Sequence, residues 1–176
     1  MRILRMTALI ARVILAVAVA LPTPLSANRP PRGQDTIADR IVVAKADRTL
    51  SLYRRNRLLR TYRIALGWAP IGHKEQEGDG RTPEGTYVID AKKRNSAFHR
   101  ALHISYPNAQ DKRRARQRGV SPGGDIMIHG LPNGMDVIKT AHPRSDWTAG
   151  CIAVTNSEIE EIWRLVPVGT PIEIRP

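Results

Sequence analysis

Residues 38–67 read ADRIVVAKADRTLSLYRRNRLLRTYRIALG. Three apolar runs stand out: IVVAK (41–45), TLSLYR (49–54) and LLRTYRIALG (58–67). Polar, turn-compatible triplets separate them, Ala46-Asp47-Arg48 and Arg55-Asn56-Arg57. Leu50 and Leu52, then Tyr62, Ile64 and Leu66, repeat every second residue. Side chains of a strand alternate between its two faces, so this period marks half-buried antiparallel strands joined by hairpins.

The same logic extends along the chain. Gly72 to Gly85, GHKEQEGDGRTPEG, has almost no apolar residue and reads as a surface loop. TYVID (86–90), ALHIS (101–105), DIMIHG (125–130) and GCIAV (150–154) read as further strands, and TPIEIRP (170–176) as the closing one. Residues 107–119, PNAQDKRRARQRG, form a basic insertion whose single acid is Asp111, with a short helix expected over Ala109–Gln117. It reads as a solvated charged face, with substrate-facing arginines as the alternative. A firmer helix follows GCIAV. Thr155 with Glu158 three places on is a capping box. Ile159, Ile162, Trp163 and Val166 then share one helical face, and Pro167 and Gly169 stop it. The expected chain is mainly β, with one or two helices.

The N-terminus has a different character. Arg2, Arg5 and Arg12 precede and enter an apolar stretch whose unbroken core is Val13 to Leu21, followed by Pro22, Pro24 and Leu25-Ser26-Ala27. This is the layout of a secretory signal peptide over residues 1–27, with an uncleaved membrane anchor as the alternative, and its apolar run is shorter than a membrane span. Residues 28–40 are expected as a flexible leader and 41–175 as one domain. The signal segment carries three arginines and no acid, so the formal charge falls from +12 to +9 on its removal. A basic exported chain suits an anionic partner such as cell wall, lipid headgroups or nucleic acid, with generic solubility charge as the equal alternative. Aromatic residues make up only 5% and form no stacking series, which argues against nucleic acid. The expected localisation is the periplasm, with the signal peptide meeting the export machinery.

Cys151 is the chain's single cysteine. In an oxidising compartment such a thiol is buried and inert, intermolecular, or chemically active. Its surroundings favour activity. It follows Thr148-Ala149-Gly150, a small-residue turn whose backbone N–H groups could face a developing oxyanion. Of five histidines, His129 ends an apolar strand beside Gly130 and is preferred as base to His142, which lies in the polar loop AHPRSDW. Trp147 is a candidate groove residue or a packed one. Arg144 could pair with a substrate carboxylate. Arg81 is expected to hold its own loop. No histidine spacing suggests a metal, and no cofactor is expected.

His129-Gly130, then Thr148-Ala149-Gly150-Cys151, with Gly78 to Gly85 (GDGRTPEG) and Ile104 to Asn108 (ISYPN), resemble the L,D-transpeptidase (YkuD-type) catalytic domain over about residues 40–175. The chain differs at Ala149, often histidine in that family, and at Ala153, often arginine or asparagine. The resemblance implies a β-sandwich of mixed sheets with a helix just after the cysteine strand. It also implies peptidoglycan stem peptides as substrate. Cys151, as thiolate, would attack the carbonyl between the L-centre of a diamino acid and the following D-residue. His129 would move the proton, and N–H groups around Gly150 and Cys151 would hold the oxyanion. The histidine would be oriented by a backbone carbonyl, leaving Asp146 a weak third member. An amine from a second stem peptide or a wall-linked lipoprotein would resolve the thioester. Resolution by water would make the enzyme a hydrolase, an L,D-carboxypeptidase or a protein-releasing amidase. A non-catalytic wall-binding module is the rival outside enzymes, and its electrostatic binding would weaken in salt.

Overall fold

The computed structural model describes residues 37–134, 142 and 145–176. The expected signal peptide, the first part of the leader and Arg144 lie outside the described residues. Chain order is β1 (Arg40–Ala44), β2 (Thr49–Arg54), β3 (Arg57–Arg63), β4 (Gly85–Ser96), β5 (His99–Ile104), α1 (Ala109–Gln117), β6 (Met127–His129), β7 (Ile152–Ala153), α2 (Asn156–Leu165) and β8 (Pro171–Arg175). The fold includes residues before 41: Ala38 is buried and its N–H donates to Leu165 O at 2.8 Å.

The strands form one eight-stranded mixed sheet in the order β3-β2-β1-β8-β4-β5-β6-β7. β1 with β8 and β6 with β7 are parallel, and the remaining pairs antiparallel. β4 turns the sheet: Gly85–Val88 pairs with β8, whereas Ile89–Ser96 pairs with β5, with bulges after Ile89 and Lys93. A bulge bends a strand and sharpens its twist. The sheet's two ends meet again, because Ala65, just past β3, bridges Ala153 on β7. The expected sandwich is therefore one sheet folded around one core.

The two-residue period holds. Leu50, Leu52, Tyr62, Ile64 and Leu66 are all buried in that core, with Ile41, Val43, Ile89, Leu102, Ile104, Ile128 and Ile152. The β2–β3 turn has both Arg55 and Asn56 at positive φ, 48° and 62°. This is the geometry that matches the twist of a tight hairpin, and Asn adopts it readily. β4 runs six residues beyond the expected Asp90. Its extension, AKKRNS, carries no apolar alternation because most of it is an exposed overhang held by backbone pairing to β5.

Both helices start on a full capping box, Asn108 with Asp111 and Thr155 with Glu158. α1 buries only Asp111 and Ala115, so its lysine and arginines face solvent. α2 buries Ile159 and Ile162 in the core, with Val166 behind them. The 72–85 loop is less superficial than its composition suggests. Thr82 and Lys74 are buried, and Lys74 is paired with Asp79 at 2.9 Å. Lys45, also buried, reaches in from just past β1 to Gly72 O, Thr82 O and Glu84 Oε1. Polar burial is tolerated because each ammonium finds acceptors.

Two substitutions gauge these contributions by urea unfolding. Ile162→Ala leaves a cavity in the core and should cost roughly 2–5 kcal/mol. Thr155→Ala removes one cap and should cost about 1 kcal/mol.

Candidate active site

β6 and β7 lie side by side in parallel, with Ile128 opposite Ile152 and His129 opposite Ala153. Cys151 immediately precedes β7. The register puts it opposite Met127, on the face that also carries His129. Diagonal neighbours on one sheet face are within reach of long side chains. Cys151 and His129 both line a cavity of about 330 Å³, with Lys93, Asn95, Ser96, Ala97, Phe98, Asp125 and Met127 around them. Cys151 is half-buried and unpaired.

The turn before the cysteine is held from inside. The Thr148 hydroxyl donates to Cys151 O at 2.7 Å and accepts from Gly150 N at 3.1 Å. Gly150 sits at φ +131°, and a Cβ there would lie 2.7 Å from the carbonyl oxygen of Arg81. Only glycine combines that backbone angle with so close an approach. The loop thus serves as a floor beneath the turn. Arg81 fixes the loop through its guanidinium, which donates to His73 O at 3.4 Å and Glu75 Oε2 at 3.2 Å. The Gly150 N–H is engaged by the Thr148 hydroxyl.

His129 is buried, and its Nδ1 lies 2.7 Å from Gly130 O. A carbonyl only accepts, so Nδ1 carries the proton and Nε2 keeps a free lone pair. Phe98 stacks at 4.4 Å between ring centroids and Trp147 meets the ring edge-on at 5.8 Å. Burial lowers the imidazole pKa to about 4, the Gly130 carbonyl works against that shift, and nearby His142 adds to it. Burial also pushes the Cys151 thiol up, with the Met127 N–H pulling the other way. Both shifts favour the uncharged forms, a neutral thiol beside a neutral imidazole. Removing a charge from water costs more here than a single neighbour returns.

The other sequence candidates fall in different places. Thr148 is buried within the turn, and Ala149 is exposed beside it. Trp147 packs behind His129 rather than lining the cavity. His142 is buried, and among the described residues neither ring nitrogen has a partner. Asp146 is committed elsewhere. It accepts from Arg48 Nη2 at 2.8 Å and from Leu66 N at 2.8 Å, which leaves orientation of His129 to the Gly130 carbonyl. Ala153 is fully buried and exchanges backbone hydrogen bonds with Ala65. Sequence reasoning missed the β4–β5 hairpin as a cavity wall. Its one signal was Phe98, the chain's single phenylalanine. Among the described residues no cluster of metal-ligating side chains occurs.

The depressed His129 value fixes a sign. Between the ordinary histidine range and about pH 4 the unfolded chain binds the proton and the folded chain does not. Stability should therefore fall as pH drops through that window, by about 3 kcal/mol in all. Urea midpoints at successive pH values would measure the loss, which should shrink in His129→Asn. A ring titrating near 6.5 by NMR would contradict the burial argument.

Comparison with known proteins bears on the family and the fold. The L,D-transpeptidase catalytic domain family, YkuD, matches residues 38–174. YafK of Escherichia coli is 32% identical over 132 residues, covering 72% of this chain and 46% of its own. The chain thus spans about half the length of that relative. Among solved structures, the helical cell shape determining protein Pgp2 of Campylobacter jejuni superposes with a TM-score of 0.58 at 25% identity, over 78% of this chain and 47% of that one. Bd1075 of Bdellovibrio bacteriovorus gives 0.56 at 26% identity, over 78% and 50%. With the family matched across nearly all the described fold, the cysteine turn and the histidine strand included, the chain belongs to the L,D-transpeptidase catalytic domain family.

Proposed function

We propose that the protein is an exported cysteine acyltransferase acting on peptidoglycan stem peptides, with Cys151 as nucleophile and His129 as general base. The observation that carries this reading is the shared cavity. A half-buried thiol and an imidazole with a free Nε2 line one opening on adjacent strands.

In the proposed reaction the donor peptide enters with the carbonyl after its diamino acid over Sγ. Nε2 of His129 takes the thiol proton as Sγ attacks, so charge separation develops only with substrate present to solvate it. The imidazole is unprotonated, and so free to accept a proton, at any pH above about 4. The Cys151 N–H faces the tetrahedral oxyanion, a contribution of roughly 3 kcal/mol for one well-placed donor. Gly150 keeps the turn open, and Thr148 holds its shape. Protonated His129 returns its proton to the leaving amine, and a thioester remains on Sγ. A second stem peptide, or a wall-linked lipoprotein, supplies the amine that resolves it. Trp147 and Phe98 keep water from the imidazole. Ala149, exposed at the turn, borders the path of the peptide, and Arg144 is assigned to a substrate carboxylate. The signal peptide of residues 1–27 delivers the enzyme to the periplasm.

A carbapenem β-lactam should acylate Cys151 and add its mass to the intact protein, with no adduct on Cys151→Ala. His129→Ala should slow acylation by about 10²–10⁴-fold. Muropeptide mass spectrometry after overexpression should show new crosslinked dimers. Shortened or freed stems without dimers would assign water as the acceptor instead.

A further inference from the structure

Asp125 stands in the wall of the catalytic cavity, and its backbone carbonyl lies 3.5 Å from Cys151 Sγ. Its side chain is 82% exposed. Two cationic or ionisable groups flank Oδ1 without reaching it: Lys93 Nζ at 3.9 Å and His103 Nε2 at 3.8 Å. His103 is itself turned by Asp90, which meets its Nδ1. Among the described residues the Asp125 carboxylate accepts no hydrogen bond within the protein. Its backbone is at φ +53°, an angle uncommon outside glycine, aspartate and asparagine. A carboxylate is thus held open to the cavity, one residue from β6's approach to the sulfur.

We infer that Asp125 is the positioning residue for the acceptor amine, binding its ammonium form next to the acyl-thioester. This rests on the acyltransferase reading above and deepens it by assigning a residue of the cavity wall to the acceptor amine. Asp125 attracts that cation and raises its local concentration beside the thioester carbonyl, while water gains nothing from the charge. Lys93 competes for the same oxygen and is displaced as the acceptor docks. In the transfer the ammonium first releases one proton to solvent. The amine then forms the C–N bond as the C–S bond breaks. The second proton passes through Nε2 of His129 to Sγ, which regenerates the thiol.

The test reads how the thioester partitions between amine and water. The donor is a stem tetrapeptide, and the acceptor is either Nα-acetyl-lysine amide, a cation, or hydroxylamine, uncharged at neutral pH. Asp125→Asn keeps the size and tolerates the same backbone angle, but removes the charge. The transfer-to-hydrolysis ratio with the lysine acceptor should fall about three- to fivefold, the scale of an exposed ion pair, through a higher acceptor KM. The ratio with hydroxylamine should not follow it. Lys93→Met should move the lysine ratio upward, and added salt should shrink both effects. An unchanged lysine ratio in Asp125→Asn, or an equal fall with both acceptors, would overturn the assignment. Wild-type protein that forms no acyl adduct at all would instead sink the acyltransferase reading, and the acceptor site with it.

Discussion

Four backbone hydrogen bonds join the segment after β3 to the segment that carries the cysteine. Ala65 N donates to Ala153 O at 3.0 Å and Ala153 N to Ala65 O at 2.8 Å. Thr148 N donates to Leu66 O at 3.1 Å and Trp68 N to Thr148 O at 2.9 Å. Each such bond contributes only about 1 kcal/mol net, but leaving a buried N–H or carbonyl unpaired costs more. The cysteine segment is too short to hold itself: β7 has two residues. Its place is dictated by β6 on one side and by this stitch on the other. Asp146 reinforces it by accepting from Leu66 N while ion-paired to Arg48, a residue of the β1–β2 turn. The first hairpins and the cysteine turn are thereby a single unit.

Beneath that stitch lies a second constraint, the contact of the 78–85 loop with the turn. A Cβ on Gly67 would fall 2.1 Å from Gly80 O, and one on Gly150 would fall 2.7 Å from Arg81 O. Backbone packs on backbone here. Side chains would hold the two layers apart and shift the thiol by more than catalysis tolerates. The polar composition of the loop follows from this role. Its charges are spent on one another and on Lys45, which leaves its carbonyls and glycines to face the turn.

Electrostatics at the site follows from the same burial. His129 lies among Phe98, Trp147 and the core, so its charged form is disfavoured, and the thiol shares that handicap. A preformed ion pair would have to be solvated by the protein at all times. A neutral pair defers the cost to the moment when the oxyanion and its N–H donor are in place. The exposed charges sit at the rim, on Lys93 and Asp125, where water screens them and a substrate can exchange for them.

Much of this was legible in the chain itself. TLSLYR is β2 residue for residue, the expected 109–117 helix is α1, and Thr155 with Glu158 opens α2 as its capping box predicts. These features are local: a two-residue period, a helical face and a cap each depend on neighbours a few positions away. The cysteine turn and the histidine strand were legible for the same reason, through Gly150 and Gly130 beside them. The rest required the fold. The length of β4 was hidden because its second half is polar and held by pairing rather than burial. The burial of Lys74 and Thr82 was hidden because their partners are brought in by the loop's closure. The protonation of the thiol and the imidazole, and the arrival of Phe98 and Asp125 at their cavity, depend on contacts between residues tens of positions apart. Sequence periodicity encodes which face of a strand is apolar; only closure of the sheet decides which side chains then share one opening.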